Sequence, residues 1–559
     1  MHDYQTQQRL GVYLKGEGGA GPVISTATAN GFMTNSNQNN PRTLHLVFTS
    51  DTHGNLFPVS YGTGKKKEGG VLCLAERLQH LKENPDFPGE TKENTLILDG
   101  GDSLQGTPLT TYYLSHEGDY PYHPVAEAFN ACGLSYFTLG NHDFNFGYEN
   151  IKAYLNALHA QCICANVRDK KGELPIAPYV IHTMENGLRV GITAAVTDWV
   201  NVWELSENLR YLDVTEPEKA LKEVLSPMQK EGCDLTIAIY HGGFEEDLQT
   251  GEKLSDTTEN IACRIMRDLD FDILLTGHQH MEVPSFELAG THACQPKDKC
   301  TSYCALRAEV FPDGTKKITS KIVPVGKEED LETGEKIYPV EAAAQKWLDA
   351  PIGTLTSKIP PEEKLSAALY GSRVADLFNA VQLEKTGADF SCTSLGNDPL
   401  GFHKDITMRE ITAAYQFTNT VMVLEVTKET IRESLERVAS YFDLKGGKPV
   451  ISERFLKPKV EHYNYDYWAN LDYAFDLRKP LGSRVVRMKM LDGTELEDDR
   501  TYTLTTSNYR ATGTGGYPAI GKSRVIRSTT DEMPDLIADY IRRHSPVDIP
   551  KNSRIEVLW

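Results

Sequence analysis

Five polar clusters carry the residue types that could do chemistry: Ser50-Asp51-Thr52-His53, Gly101-Asp102-Ser103, Gly140-Asn141-His142-Asp143, Tyr240-His241-Gly242-Gly243 and Thr276-Gly277-His278-Gln279-His280. Each follows a short apolar run. Two divalent ions about 3.5–4 Å apart need a bridging oxygen, imidazoles or carboxylates on either side, and an open position for water. Asp51 and His53 occupy alternate positions of an extended segment and can grip one ion together. Asp102, alone in a glycine-flanked turn, suits the bridge. Asn141 offers a neutral carbonyl oxygen, and His241, His278 and His280 offer nitrogen. A shell of Asp, Asn and His without thiolate suits Mn²⁺, Zn²⁺, Fe²⁺ or Co²⁺ better than Ca²⁺ or Mg²⁺. A lone histidine is more often a satisfied core or surface residue, and Gly-Asp is a common turn. Five such clusters, each at a strand end, favour a site.

The elements that must position these residues are short apolar runs alternating with helical stretches. Leu44 to Thr49 leads into Asp51, Thr95 to Leu98 into Asp102, Tyr136 to Leu139 into Asn141, Leu235 to Tyr240 into His241, and Phe271 to Leu275 into His278. Val190 to Val196 is a further strand, while Val71 to Leu81 and Pro124 to Cys132 read as helices. Strands alternating with helices predict an α/β layered domain whose strand ends gather the clusters at one rim. Added strands around Pro312-Asp313-Gly314 close it. A helical stretch at Val340 to Leu348, then Pro351 and Pro360-Pro361, mark a linker. Beyond it lie a helix near Val374 to Leu383, strands at Thr420 to Val426 and Thr501 to Thr505, the aromatic-rich Tyr463-Asn464-Tyr465-Asp466-Tyr467-Trp468, and the loop Gly513-Thr514-Gly515-Gly516.

A chain of 559 residues exceeds one hydrophobic core, so two domains are expected. A formal net charge of −20 argues against binding nucleic-acid polymers or acidic membranes. No apolar run reaches the length of a membrane span, so no integral membrane contact is expected, and no obligate protein partner is evident. Residues 1–42, rich in Gly, Asn, Gln, Ser and Thr, lack the layout of a secretory signal and read as a disordered extension. That feature and ten dispersed cysteines favour the cytoplasm; a truncated or mis-called start would place the chain outside it. Cys294, Cys300 and Cys304 match no common zinc module, and Lys65-Lys66-Lys67 reads as a solvated loop.

The clusters resemble the signature of the calcineurin-like metallophosphoesterases. With Ala388-Asp389-Phe390 and Asn508-Tyr509-Arg510-Ala511-Thr512-Gly513, the whole resembles the two-domain 5′-nucleotidase family. The resemblance implies a four-layer α/β/β/α domain, a two-sheet sandwich flanked by helices, at 43–325. A helical linker or hinge at 326–361 and a separate α/β nucleotide-base-binding domain at 362–559 would follow. It implies that Asp51, His53, Asp102 and His280 hold one ion and Asp102, Asn141, His241 and His278 the other, with Mn or Zn expected and Fe or Co compatible. His142 matches the family's catalytic histidine. Phe417 and Tyr509 match the base-stacking pair, with Tyr415 as an alternative to Phe417 and Asn419 in the same substrate-binding stretch.

Three departures from the 5′-nucleotidase pattern point to the 2′,3′-cyclic-nucleotide 2′-phosphodiesterase/3′-nucleotidase branch. Asn145 stands where many members pair an Asp with the catalytic histidine, and it orients His142 without stabilising an imidazolium as a carboxylate would. Ser394-Leu395-Gly396-Asn397 replaces a phosphate-binding Gly-Gly-x-Arg, and His280 replaces a Gln of some members. The expected reaction is hydrolysis of 2′,3′-cyclic nucleotides and 3′-nucleotides to nucleoside and phosphate by a hydroxide shared between two ions. The alternatives are a 5′-nucleotidase or nucleotide-sugar hydrolase, and a non-catalytic metal-dependent nucleotide-binding module.

Overall fold

The computed structural model describes residues 40–559 apart from 254–257, 399, 416, 418 and 458. The extension expected over residues 1–42 therefore lies outside the described residues up to residue 39.

Strand Arg42–Thr49 pairs in parallel with Thr95–Asp99 and antiparallel with Ser302–Val310; Thr95–Asp99 continues in parallel to Tyr136–Phe137 and then Gln161–Ile163. A second sheet runs in parallel through Arg189–Val196, Leu235–His241 and Ile273–Thr276. The period-two alternation of a strand divides each one between two layers. Leu44, Leu46 and Phe48 meet Val190, Ile192, Ile237, Ile239, Ile273 and Leu275 between the sheets, with Cys294 and Cys304 in the same apolar layer. Val47 and Ile97 instead face helices Val71–Gln79 and Pro124–Cys132, and Ala238, Tyr240 and Leu274 face helices Pro217–Lys230 and Ala262–Asp268. The result is the expected α/β/β/α sandwich. Strands buried on both faces read as continuous apolar runs, which is why the sequence marks them so clearly.

The segment read as a linker is differently built. Helix Leu331–Leu348 buries Ile337, Val340, Ala344 and Leu348, at helical spacing, in the same core as Val71–Gln79. Half of 326–361, the helix, is therefore a wall of the first domain. Its Pro339 and many charges, on the solvent side, give it the composition of a linker. The chain then enters strand Pro351–Thr354, which pairs with Asp405–Thr407.

The second domain is built on a sheet ordered Asp466–Ala469, Phe390–Ser394, Thr501–Ser507, Thr420–Thr427 and Arg524–Glu532, with helices Arg373–Thr386 and Met533–His544 in its core. Arg409 ties the two domains, donating to Tyr61 O at 2.5 Å, Asp349 Oδ1 at 2.8 Å and Gln345 Oε1 at 2.7 Å. No helix among the described residues is long and apolar enough to cross a membrane.

Candidate active site

The five clusters meet where the parallel strands of both sheets end. Their turns are knitted by backbone bonds, Asp51 N to Gly101 O at 2.9 Å and His53 N to Asp102 O at 2.8 Å. Asp143, fully buried, accepts from four N–H groups: Gly140 at 2.8 Å, Asp102 at 2.9 Å, Ser103 at 2.8 Å and Leu104 at 2.9 Å. It joins the Gly-Asp turn to the Gly-Asn-His-Asp turn. Asp51, His53, Asp102, His278 and His280 all adopt positive φ, from 47° to 70°. Residues other than glycine rarely do so, at about 1–3 kcal/mol each, and such strain clusters at functional sites. At Gly140 a Cβ would come within 2.2 Å of Asp102 Oδ1 and 2.6 Å of His241 Cε1, so only glycine lets the turn approach these side chains.

The donor atoms converge in two groups. In one, His53 Nε2 lies 2.9 Å from His280 Nε2, and His280 Nε2 lies 3.4 Å from Asp51 Oδ1. In the other, His241 Nε2 lies 3.3 Å from Asp102 Oδ2 and 3.2 Å from Asn141 Oδ1, with His278 Nδ1 at 2.8 Å from the same Asn141 oxygen. Asp102 stands between them, its Oδ2 3.9 Å from His53 Nε2. The far ring nitrogens explain the orientation. His53 Nδ1 donates to Gln105 O at 2.9 Å and His241 Nδ1 to Gly100 O at 2.6 Å. A carbonyl only accepts, so Nδ1 carries a proton in both rings and Nε2 is the nitrogen turned toward the site. His278 Nε2 is held by Glu259 at 3.0 Å, which leaves Nδ1 facing the site. Such partners typically fix the tautomer of metal-binding histidines.

These residues fit a divalent ion. Metal bonds of about 2.1 Å at tetrahedral or octahedral angles set donors roughly 3.0–3.4 Å apart, close to the separations found here. The electrostatics agree. Burial would lower His241, yet the carboxylates of Asp102 and Asp51 push it up to about 10. Burial would raise Asp51, but hydrogen bonding to His280 and the charges of His241 and His280 hold it below its ordinary range. Asp102 is likewise lowered, burial being overcome chiefly by His241 and His142. His53, buried and facing His280, falls to about 4 and is neutral. The pocket demands positive charge, which divalent ions supply.

His142 borders this array, its ring 5.5 Å from that of His53. Its backbone N–H donates to Asp102 Oδ1 at 2.7 Å, and Nδ1 lies 2.8 Å from Asn145 Oδ1. Among the described residues Nε2 has no hydrogen-bond partner, which leaves it for a ligand.

The second domain supplies the facing wall. Trp203 stacks on His278 at 5.4 Å and donates its indole N–H to Thr514 Oγ1 at 3.3 Å, in the second domain's glycine loop. Phe417 is 42% exposed and meets Tyr463 edge-on at 6.3 Å, so its ring has a face free for a ligand. Tyr509 lies partly buried beside Arg510, 5.7 Å away. Tyr415 is buried against Phe378, 5.1 Å away, and accepts from Asn419 Nδ2 at 3.3 Å. Asn397, in place of the expected arginine, holds the loop that follows Lys459 by donating to Val460 O at 2.8 Å and accepting from His462 N at 3.0 Å. The Lys459 ammonium lies 5.9 Å over Tyr463; burial lowers its pKa, opposed by Glu461, Asp51, Glu259 and Asp298.

Sequence reasoning missed Glu204, Glu259, Lys459 and Asp298, whose Oδ2 lies 3.6 Å from His280 Nδ1, on loops and turns, and Trp203, at the end of the short helix Val200–Trp203; none has motif spacing. Asp143 was visible inside its motif, but only the structure shows what it does.

A calcineurin-like phosphoesterase family model matches residues 44–282, and a 5′-nucleotidase C-terminal domain model matches 351–522. The trifunctional nucleotide phosphoesterase protein YfkN of Bacillus subtilis is 24% identical over 90% of this chain, which spans 38% of that protein's length. A 2′,3′-cyclic-nucleotide 2′-phosphodiesterase/3′-nucleotidase of Haemophilus influenzae is 25% identical over 92% of this chain and 87% of its own. A solved Staphylococcus aureus structure assigned as a 5′-nucleotidase superposes with a TM-score of 0.83 at 28% identity, covering 93% of this chain and 100% of that one.

Proposed function

We propose, for a chain that belongs to the calcineurin-like phosphoesterases and carries a 5′-nucleotidase C-terminal domain, that it hydrolyses 2′,3′-cyclic nucleotides and 3′-nucleotides to nucleoside and phosphate. The observation that carries this reading is the pairing of His142 with the neutral Asn145 beside two converging donor groups, in a cleft whose Asn397 binds backbone where the 5′-nucleotidase pattern has a phosphate-binding arginine. The name of the Haemophilus relative supports it.

Asp51, His53, Asp102 and His280 would hold one ion and Asp102, Asn141, His241 and His278 the other; the donor chemistry suits Mn²⁺ or Zn²⁺, with Fe²⁺ or Co²⁺ compatible. When bound, the ions supply Lewis-acid charge to the phosphoryl group and lower the pKa of water into the neutral range. The chain's own residues do the rest. His142 holds Nε2 toward the phosphoryl or leaving ribose oxygen, where it hydrogen-bonds the charge that develops as the ester bond breaks. Phe417 and Tyr509 stack on the base, which provides affinity with little base selectivity. Lys459 offsets phosphate charge from the side of the second domain. Trp203 covers His278 and excludes water from that flank.

Phosphate release from 2′,3′-cyclic AMP, 3′-AMP and 5′-AMP by metal-stripped protein reloaded with Mn²⁺ or Zn²⁺ tests the reading, with products separated by chromatography. Metal-dependent turnover of the first two, poor turnover of 5′-AMP and a nearly inactive His142→Ala variant are expected. Preference for 5′-AMP would replace this reading with the 5′-nucleotidase one, which the Staphylococcus likeness favours.

A further inference from the structure

We propose that Glu204 is the positioning carboxylate of His142, acting through the side chain of Asn145. Glu204 follows the one-turn helix Val200–Trp203 and lies 59 residues from Asn145 in sequence. Asn145 Nδ2 donates to Glu204 Oε2 at 2.7 Å, while Asn145 Oδ1 lies 2.8 Å from His142 Nδ1. The other Glu204 oxygen accepts from Leu205 N at 2.7 Å and Asn208 Nδ2 at 2.8 Å, and Asn208 also donates to Asn145 O at 2.8 Å. Both carboxylate oxygens and the Asn145 backbone are therefore pinned.

The chemistry of these groups fixes the direction of every bond. An ionised carboxylate only accepts, so Asn145 must turn its NH₂ to Glu204 and its carbonyl oxygen to His142. That oxygen also only accepts, so His142 Nδ1 carries hydrogen, and the nitrogen facing the cleft is Nε2. Without Glu204 the amide is free to turn over. Its NH₂ would then face Nδ1, the ring proton would move to Nε2, and the histidine would lose its set tautomer and part of its aim. The carboxylate that the sequence lacks beside His142 is thus supplied from another loop, one amide further out. Partners of this kind change activity on the order of 10–100-fold when removed.

This inference rests on the reading of His142 as the residue that contacts the reacting phosphoester. Glu204→Gln keeps shape, but with its carbonyl oxygen held by Leu205 N–H and Asn208 Nδ2 it turns its NH₂ to Asn145 and so favours the reversed amide. It is expected to lower kcat on the order of 10-fold or more, with KM, thermal midpoint and bound-metal stoichiometry near those of the parent. The double variant Asn145→Asp/Glu204→Gln puts a carboxylate next to His142 and an NH₂ donor behind it, and is expected to recover most of that loss. Asn145→Asp alone opposes two carboxylates and should do worse than the double variant. In the metal-free protein, ¹⁵N shifts of the His142 ring, assigned through His142→Gln, are expected to show Nδ1–H in the parent and a shift toward Nε2–H in Glu204→Gln. Unchanged kcat in Glu204→Gln, or no recovery in the double variant, would overturn the proposal. The comparison uses whichever phosphoester the parent hydrolyses, so a parent that prefers 5′-AMP defeats the substrate reading and leaves the Glu204 result to be judged separately.

Discussion

Replacing Asp143 by Asn changes one atom and removes half of the bonds by which this side chain joins two loops of the site. The carboxylate accepts four backbone N–H groups, two at each oxygen: Gly140 and Asp102 at Oδ2, Ser103 and Leu104 at Oδ1. Burial pushes its pKa up, as does the charge of Asp102, while the N–H groups of Gly140, Leu104 and Ser103 oppose them. An asparagine keeps one acceptor oxygen and turns NH₂ against the remaining pair. Each buried N–H left without an acceptor costs about 1–3 kcal/mol, so Asp143→Asn should lose about 2–6 kcal/mol. The loss falls on the turn that holds Asp102 at φ 59°, and weaker metal retention should accompany it. Equilibrium urea denaturation of the metal-free chain measures the first effect, and metal stoichiometry after dialysis the second. A change under about 1 kcal/mol with full metal retention would show that the four bonds do not hold these turns.

Two further outcomes follow from other parts of the molecule. His123 is fully enclosed between Tyr113 and Tyr154, and its Nδ1 accepts from Ala126 N at 3.4 Å to cap helix Pro124–Cys132; burial lowers its pKa to about 3. Between that value and the unfolded value near 6.5 only the unfolded chain binds the proton, so stability falls as pH drops below about 6.5, by roughly 2 kcal/mol at pH 5. His123→Asn retains a capping side chain and should flatten the difference between urea midpoints at pH 7.5 and pH 5.0 by that amount; parallel curves for the two proteins would contradict it. Tyr509→Ala should raise KM for nucleotides by the equivalent of about 1–3 kcal/mol, the worth of one stacked base, and leave KM for bis(4-nitrophenyl) phosphate unchanged. An equal effect on both substrates would mean that the ring shapes the cleft without stacking on a base.

Much of the site is written locally. Strands buried on both faces must be apolar along their length, and residues that follow them at a parallel sheet's edge must fall at its rim. Asp51, Asp102, Asn141, His241 and His278 could therefore be picked out, and grouped, from the runs that precede them. The helix 331–348 was legible only in its last turns, because Pro339 and the charged residues of its solvent face mask the apolar stripe that builds it into the first domain. Phe417 and Tyr415, two residues apart, are indistinguishable by type; packing of Tyr415 on Phe378 leaves only Phe417 with an exposed ring.

What the sequence determined by itself is the layered α/β architecture and the donor inventory, because each depends on residue type and short-range spacing; Asn145 as the partner of His142 came from the family resemblance. Tertiary structure alone decided which groups back that inventory. Glu204 reaches Asn145 across 59 residues, Trp203 reaches Thr514 across 311, and Glu259 reaches His278 from a loop without a motif. Hydrogen bonds and ring contacts between distant loops leave no periodicity in the chain, since any acceptor or ring brought to the right place by the fold would serve.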